Sequence, residues 1–399
     1  MEHLFSVACL WLGLAVLAAV VAYHLRLSIA LVEICLGVLA GNAVSWLGVP
    51  ALLHADEEWL RFLGTSGAVL LTFLAGAELD PGIIRTKLKE VSAVGCAGFL
   101  APFLGCTAVA YGLGWGMRAS LLTGVALSAT SMAVIYTVML ETGLNRTGFG
   151  KSLLGASFVN DLSTVVALGL LFAPFTYRTP VFLAVCGATL ALLPRITALI
   201  TKTYANRTAA IRTKWIMLVL FGLGTLAFWS GSEAVLPAYV AGIVSARGAA
   251  RDTFWIRRLR TLTIGFLTPF YFLRVGTFVS LPALWAAPLV FMLLLGAKVA
   301  VKIFGLYPLI GRFRKDRNER WFFTLLMSTG LTFGTIAAIF GLAQGIVTQA
   351  QYSYLVAAVI ASAVVPTVIA GKWFLPKRLL SAPEAQKKPR TDDGLEEEG

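Results

Sequence analysis

Thirteen long apolar stretches, separated by short polar connections, constrain this chain more than any other feature. They lie near 5–23, 28–46, 60–78, 91–113, 118–140, 150–173, 180–200, 214–231, 233–246, 262–280, 283–309, 321–342 and 351–374. A helix needs roughly 17–25 apolar residues to cross a bilayer, so the pattern predicts an all-α polytopic membrane protein. The ninth stretch is the shortest. Composition agrees: 58% of the residues are hydrophobic and 13% charged, where a soluble domain has about 45–50% and 25%. The first stretch has no basic region before it and reads as a retained helix rather than a signal peptide. Beyond residue 375 the Pro, Lys and Glu content predicts a disordered tail, 376–399.

Charge fixes a predicted orientation. With thirteen crossings and a cytoplasmic C-terminus, 27 of the 33 Lys and Arg fall in cytoplasmic connections or the tail, the bias of the positive-inside rule. The N-terminus is then outside, and the membrane is the cell's inner (plasma) membrane. The net charge of +13 is accounted for as a topology signal, which leaves no argument for a nucleic-acid partner. The five cysteines lie inside apolar stretches without metal-ligand spacing. His3, His24 and His54 sit at segment ends and make no cluster in the sequence. No cofactor and no enzymatic constellation of nucleophile and base is indicated.

Within the apolar stretches the costly residues are few. Asp161 lies near the middle of the sixth, preceded by Asn160; Glu33, Glu78 and Glu233 are nearer to segment ends. Arg274 falls in the tenth, and Lys298 and Lys302, one turn apart, in the eleventh. An ionisable group at bilayer depth marks a functional site by default. Lys298 is expected to snorkel toward the cytoplasm, and Arg274 to pair with Glu33 or Glu233.

Two further stretches carry small hydroxylated runs: Ser128-Ala129-Thr130-Ser131 in the fifth, and Ser328-Thr329-Gly330-Leu331-Thr332 in the twelfth. Such runs satisfy backbone groups freed where a helix unwinds. Each is the middle member of a set of three stretches, four to six and eleven to thirteen. The offset of seven makes the sets enter the membrane from opposite sides. Broken helices at matching places of inverted repeats point to a transporter's ion site; the alternative is that the small residues only permit close packing.

A lone carboxylate in such a place is costly as a bare anion. A proton or a monovalent cation can neutralise it, but not both together, and that exclusivity suffices for exchange. Asp161 is the expected competing carboxylate and metal ligand. Asn160, Thr130 and Ser131 would complete an oxygen shell, with Ser157, Leu331, Thr332, Lys302 and Glu78 in support.

From Phe73 through Glu78-Leu79-Asp80-Pro81, from Ala129 to Ser131, from Gly155 through Asn160-Asp161, over Pro269-Phe270-Tyr271-Phe272 with Val275-Gly276, and at Ala300-Val301-Lys302-Ile303, the chain resembles the monovalent cation:proton antiporter superfamily, in the branch of the Kef potassium efflux systems and the sodium/proton antiporter NapA. The resemblance spans nearly the whole chain. It implies a NhaA/NapA-like fold in which two broken helices cross. Residues 91–173 and 283–375 would form a mobile core, residues 1–80 and 214–280 a homodimerising scaffold, and 180–200 a linker. It also implies exchange of Na+ or K+, possibly Li+, for H+. Electrogenic relatives carry a second Asp where this chain has Asn160, so electroneutral one-for-one exchange is expected. Lys302 then lacks the acidic partner of those relatives; Asn160 would hold it, or it would contribute a proton of its own. The alternative function is a proton- or sodium-coupled symporter of a small organic solute on a similar fold.

Overall fold

The computed structural model describes residues 2–25, 27–48, 50–77, 87–144, 147–172, 177–204, 210–251 and 253–380. Glu78 to Pro81 and the tail beyond residue 380 lie outside these. In chain order the helices are α1 (Glu2–Leu25), α2 (Ile29–Trp46), α3 (Glu58–Ala77), α4 (Leu88–Gly112), α5 (Met117–Ser128), α6 (Met132–Thr142), α7 (Gly148–Phe172), α8 (Arg178–Tyr204) and α9 (Ile211–Ser230). They continue with α10 (Val235–Arg251), α11 (Thr253–Leu262), α12 (Thr268–Thr277), α13 (Leu281–Ala286), α14 (Pro288–Ile310), α15 (Arg317–Met327), α16 (Thr332–Ala343), α17 (Gln349–Trp373) and α18 (Lys377–Leu380).

Among the described residues, ten helical spans are long and apolar enough to cross a membrane, counting α15 with α16 as one. The fifth stretch, which is not in that set, is two short helices, α5 and α6. The ninth, α10, is short, as its sequence suggested. The tenth begins earlier than expected: α11 already starts at Thr253 and runs through a π-helical segment, Thr263–Leu267, into α12. Arg257, Arg258 and Arg260 are therefore helical rather than part of a loop.

One layer joins α2, α3, α10 and α12, with α1 against α2 and α12, and α8 and α9 flanking α10. Glycine sets how closely these helices approach. A Cβ on Gly276 of α12 would lie 2.1 Å from the Ile34 carbonyl oxygen of α2, and one on Gly242 of α10 would lie 2.2 Å from the Phe73 carbonyl oxygen of α3. In lipid, where no hydrophobic effect drives helices together, such backbone contact supplies the packing attraction.

The second layer has an internal repeat. A long helix, a broken helix and a long helix (α4, α5 with α6, α7) match another such set (α14, α15 with α16, α17). Asp316 caps α15 by accepting from the backbone N–H of Asn318 and Glu319, at 2.8 and 3.0 Å. Thr348 and Gln351 form a reciprocal capping box on α17. The two layers meet along an aromatic seam. Tyr239 of α10 stacks on Phe158 of α7, lies edge-on to Phe333 of α16, and donates its hydroxyl to the Phe158 carbonyl at 3.2 Å. At one end of the seam, Tyr352 of α17 donates to the Val275 carbonyl at 2.7 Å and the Ser280 N–H donates to Ser353 Oγ at 2.8 Å.

Candidate ion site

Both interruptions expected from the hydroxylated runs are present, and the side chains explain them. After α5 the backbone is extended at Ala129 (φ −55°, ψ 144°), and Ser131 restarts the helix by accepting from the Val134 N–H at 3.3 Å. After α15, Ser328 and Thr329 turn back onto the Thr324 and Leu326 carbonyls at 2.8 and 2.7 Å, and Leu331 (φ −149°, ψ −76°) precedes α16. The breaks are neighbours in space: a Cβ on Gly330 would lie 3.0 Å from the Ala129 carbonyl oxygen, and one on Gly334 2.8 Å from that of Ala126.

Asn160 and Asp161 of α7 face this crossing, and both are buried. Thr130 Oγ1 donates to Asn160 Oδ1 at 2.5 Å. The Thr130 backbone N–H, freed by the break, lies near the Asp161 carboxylate. Asp161 Oδ1, however, has no hydrogen-bond partner among the described residues, and neither has Ser157 Oγ one turn before it. Buried polar atoms are almost always paired, and two oxygens left unpaired four residues apart on one helix face form an acceptor-rich spot suited to a proton or a small cation.

The lysines correct the sequence reading. Lys298 does not snorkel; both it and Lys302 are fully buried. Lys302 Nζ donates to the Met327 carbonyl at 2.7 Å, and Lys298 Nζ to that of Ala129 at 3.4 Å. These carbonyls end α15 and α5, so a single helix, α14, supplies an amine donor to the carbonyl end of each broken helix. Asn160 is not the hydrogen-bond partner of Lys302, whose amine meets the Met327 carbonyl instead. Leu331 and Thr332 lie at the second break; among the described residues the Thr332 hydroxyl makes no hydrogen bond to Asp161.

Arg274 is likewise not paired with Glu33 or Glu233. Its Nε donates to the Ala55 carbonyl at 2.8 Å, its guanidinium lies 4.0 Å from the exposed Asp56, and it covers the Phe278 ring. Reasoning from sequence also missed a polar clamp at the starts of α4 and α7. Arg314 grips Glu90 at 2.8 and 3.1 Å and reaches Ser152 Oγ at 3.1 Å. Lys87 adds a bond to the Gly148 carbonyl at 2.9 Å. A further departure is that His3 and His54 meet after all, at 2.9 Å.

Similarity to known proteins follows the same architecture. The transmembrane sodium/hydrogen exchanger family matches residues 12–375. A probable Na(+)/H(+) antiporter of Methanocaldococcus jannaschii is 23% identical over 333 residues, covering 80% of this chain and 84% of that one. A glutathione-regulated potassium-efflux system protein, KefC, of Cronobacter sakazakii is 26% identical over 359 residues, 86% of this chain but 56% of its own length. The solved structure of the sodium proton antiporter MjNhaP1 from Methanocaldococcus jannaschii superposes with a TM-score of 0.70 at 16% identity, over 96% of this chain and 100% of that one, which shows a shared fold. None of these relatives supports the symporter alternative. The reach of the family match, and the broken-helix repeat it accompanies, establish that this chain belongs to the sodium/hydrogen exchanger family.

Proposed function

We propose that the chain exchanges a monovalent cation, Na+ or K+ and possibly Li+, for H+ electroneutrally, with Asp161 as the carboxylate for which the two ions compete. The observation that carries this reading is the unpartnered Oδ1 of buried Asp161 beside the unpartnered Ser157 hydroxyl. A dehydrated cation gains oxygen ligands there, and a proton removes the buried charge; either makes the crossing state neutral. The Thr130 hydroxyl fixes the Asn160 amide beside Asp161. The lysines on α14 hydrogen-bond the carbonyl ends of the broken helices, so the site can hold one negative charge without facing those carbonyls unpaired.

In this reading α4–α7 and α14–α17 move as a core against a homodimeric scaffold of α1–α3 and α9–α12, linked by α8, with the polar contacts between α12 and α17 holding one end of the seam closed. The protein sits in the inner membrane with thirteen crossings, N-terminus outside and C-terminus cytoplasmic. Proteoliposomes loaded with a pH-sensitive dye test the proposal: sodium, potassium or lithium added across a pH gradient drives alkalinisation or acidification in the parent protein. Persistence of that exchange in Asp161→Ala refutes it.

A further inference from the structure

The start of α1 and the connection between α2 and α3 meet in a side-chain cluster that ion exchange at Asp161 does not use. His3 Nε2 lies 2.9 Å from His54 Nε2, with the rings edge to face and their centroids 4.3 Å apart. The other nitrogen of His54, Nδ1, lies 3.0 Å from Glu57 Oε1, and the second carboxylate oxygen of Glu57 accepts from the Trp59 indole N–H. Ligand atoms of His3, His54 and Glu57 all fall within 4.8 Å of one another. His54 has φ +46°, the left-handed conformation that side-chain-bearing residues seldom adopt. It aims the ring back at α1.

We propose that His3 and His54 form a binding site for a divalent d-block cation, zinc above all, with Glu57 as the carboxylate that orients His54. A metal-bound histidine characteristically offers one ring nitrogen to the metal and its other N–H to a carboxylate. His54 has that arrangement, Nδ1 toward Glu57 and Nε2 toward His3. Two imidazole nitrogens on one tetrahedral zinc stand about 3.3 Å apart, so the observed pair needs to open by only about 0.4 Å to admit the ion at normal bond lengths. The remaining positions are open to solvent: His3 is exposed, the His54 and Glu57 side chains are 30% and 28% exposed, and a surface cavity of about 550 Å³ opens beside His54, Asp56 and Glu57. Imidazole ligands favour zinc, copper and nickel over magnesium and calcium. The bound ion would tie α1 to the α2–α3 connection. A hydrogen bond between two neutral imidazoles is the competing account of the contact.

Titration calorimetry separates the two. Full-length protein is purified on a tag free of histidine, stripped of metal with a chelator, and titrated with zinc chloride and separately with magnesium chloride. One zinc per chain and no magnesium is expected. His3→Ala and His54→Ala each weaken zinc binding at least tenfold. Glu57→Gln weakens it about tenfold, the usual effect of removing a carboxylate behind a metal-bound histidine. His24→Ala and Cys9→Ser leave it unchanged, and zinc raises the unfolding temperature of the parent but not of His3→Ala. Absence of zinc binding by the parent, or binding of equal strength in His3→Ala and His54→Ala, overturns the proposal. Metal-free unfolding curves of His3→Ala that coincide with the parent's separate loss of binding from misfolding.

Discussion

Asn160→Asp adds one titratable charge to the site at almost constant volume, and its consequence can be worked out numerically. The Asn160 Nδ2 has no hydrogen-bond acceptor among the described residues, so replacing it with oxygen forfeits no bond. Thr130 Oγ1, now donating to Oδ1 at 2.5 Å, can donate to either oxygen of the new carboxylate. With one carboxylate, one cation exchanges for one proton, and membrane potential leaves the balance point untouched. With two carboxylates able to release two protons per cation, one net charge crosses per cycle. One charge in a potential of 100 mV is worth about 2.3 kcal/mol. At about 1.4 kcal/mol per factor of ten, that shifts the balancing cation gradient about 50-fold. The assay finds the sodium gradient at which lumenal pH stays still in proteoliposomes. The potential is set by potassium and valinomycin, and by thiocyanate in a potassium-free control. The parent's balance point is expected to be independent of potential and that of Asn160→Asp to move by up to about 50-fold per 100 mV. A parent balance point that moves with potential refutes the one-carboxylate reasoning and implicates Lys298 or Lys302 as a second proton carrier.

Other perturbations test separate parts of the structure. Asp161→Asn should fold, elute as the parent does on size exclusion, and lose exchange to background in the same vesicles. Arg314→Ala strands the buried Glu90 carboxylate and should cost about 3 kcal/mol of stability, read as a lower unfolding temperature; Glu90→Gln should cost less, since Arg314 keeps the Glu319 carboxylate 3.8 Å away. Gly276→Ala puts a Cβ 2.1 Å from the Ile34 carbonyl oxygen and should cost about 1–3 kcal/mol by forcing α2 and α12 apart. Gly222→Ala, with nothing within 4 Å of its Cβ, should be neutral or stabilising by up to about 1 kcal/mol. Glu233, in the turn between α9 and α10, has its carboxyl pushed up to about 7 by burial, against the opposing pull of the Ala234 N–H and Arg61. The folded protein therefore binds this proton more tightly than the unfolded chain, so its contribution to stability is present below about pH 4.5 and fades as pH rises to about 7. Glu233→Gln should flatten that slope in unfolding temperature against pH; an unchanged slope refutes the assignment.

The sequence by itself determined the solvent, the helical class, the two interruptions and the single acid at depth. These are local properties: apolar length must match a bilayer, hydroxylated runs supply their own hydrogen bonds where a helix stops, and a buried Asp is conspicuous against hydrocarbon. Partners were decided only by the tertiary structure. The Arg274 and Lys302 side chains meet backbone carbonyls rather than the polar side chains expected for them, and carbonyls are invisible as sequence because every residue has one. Lys298 looked able to snorkel because its stem is long, yet the crossing of α5 and α15 put a dipole end within its reach. His3 and His54, 51 positions apart, become neighbours only when α1 packs against the turn after α2, a juxtaposition that no local pattern encodes. Tertiary packing also decided which oxygens of Asp161 and Ser157 stay unpaired, since hydrogen-bond satisfaction is a count over everything brought within about 3 Å, and the chain order of residues does not contain that count.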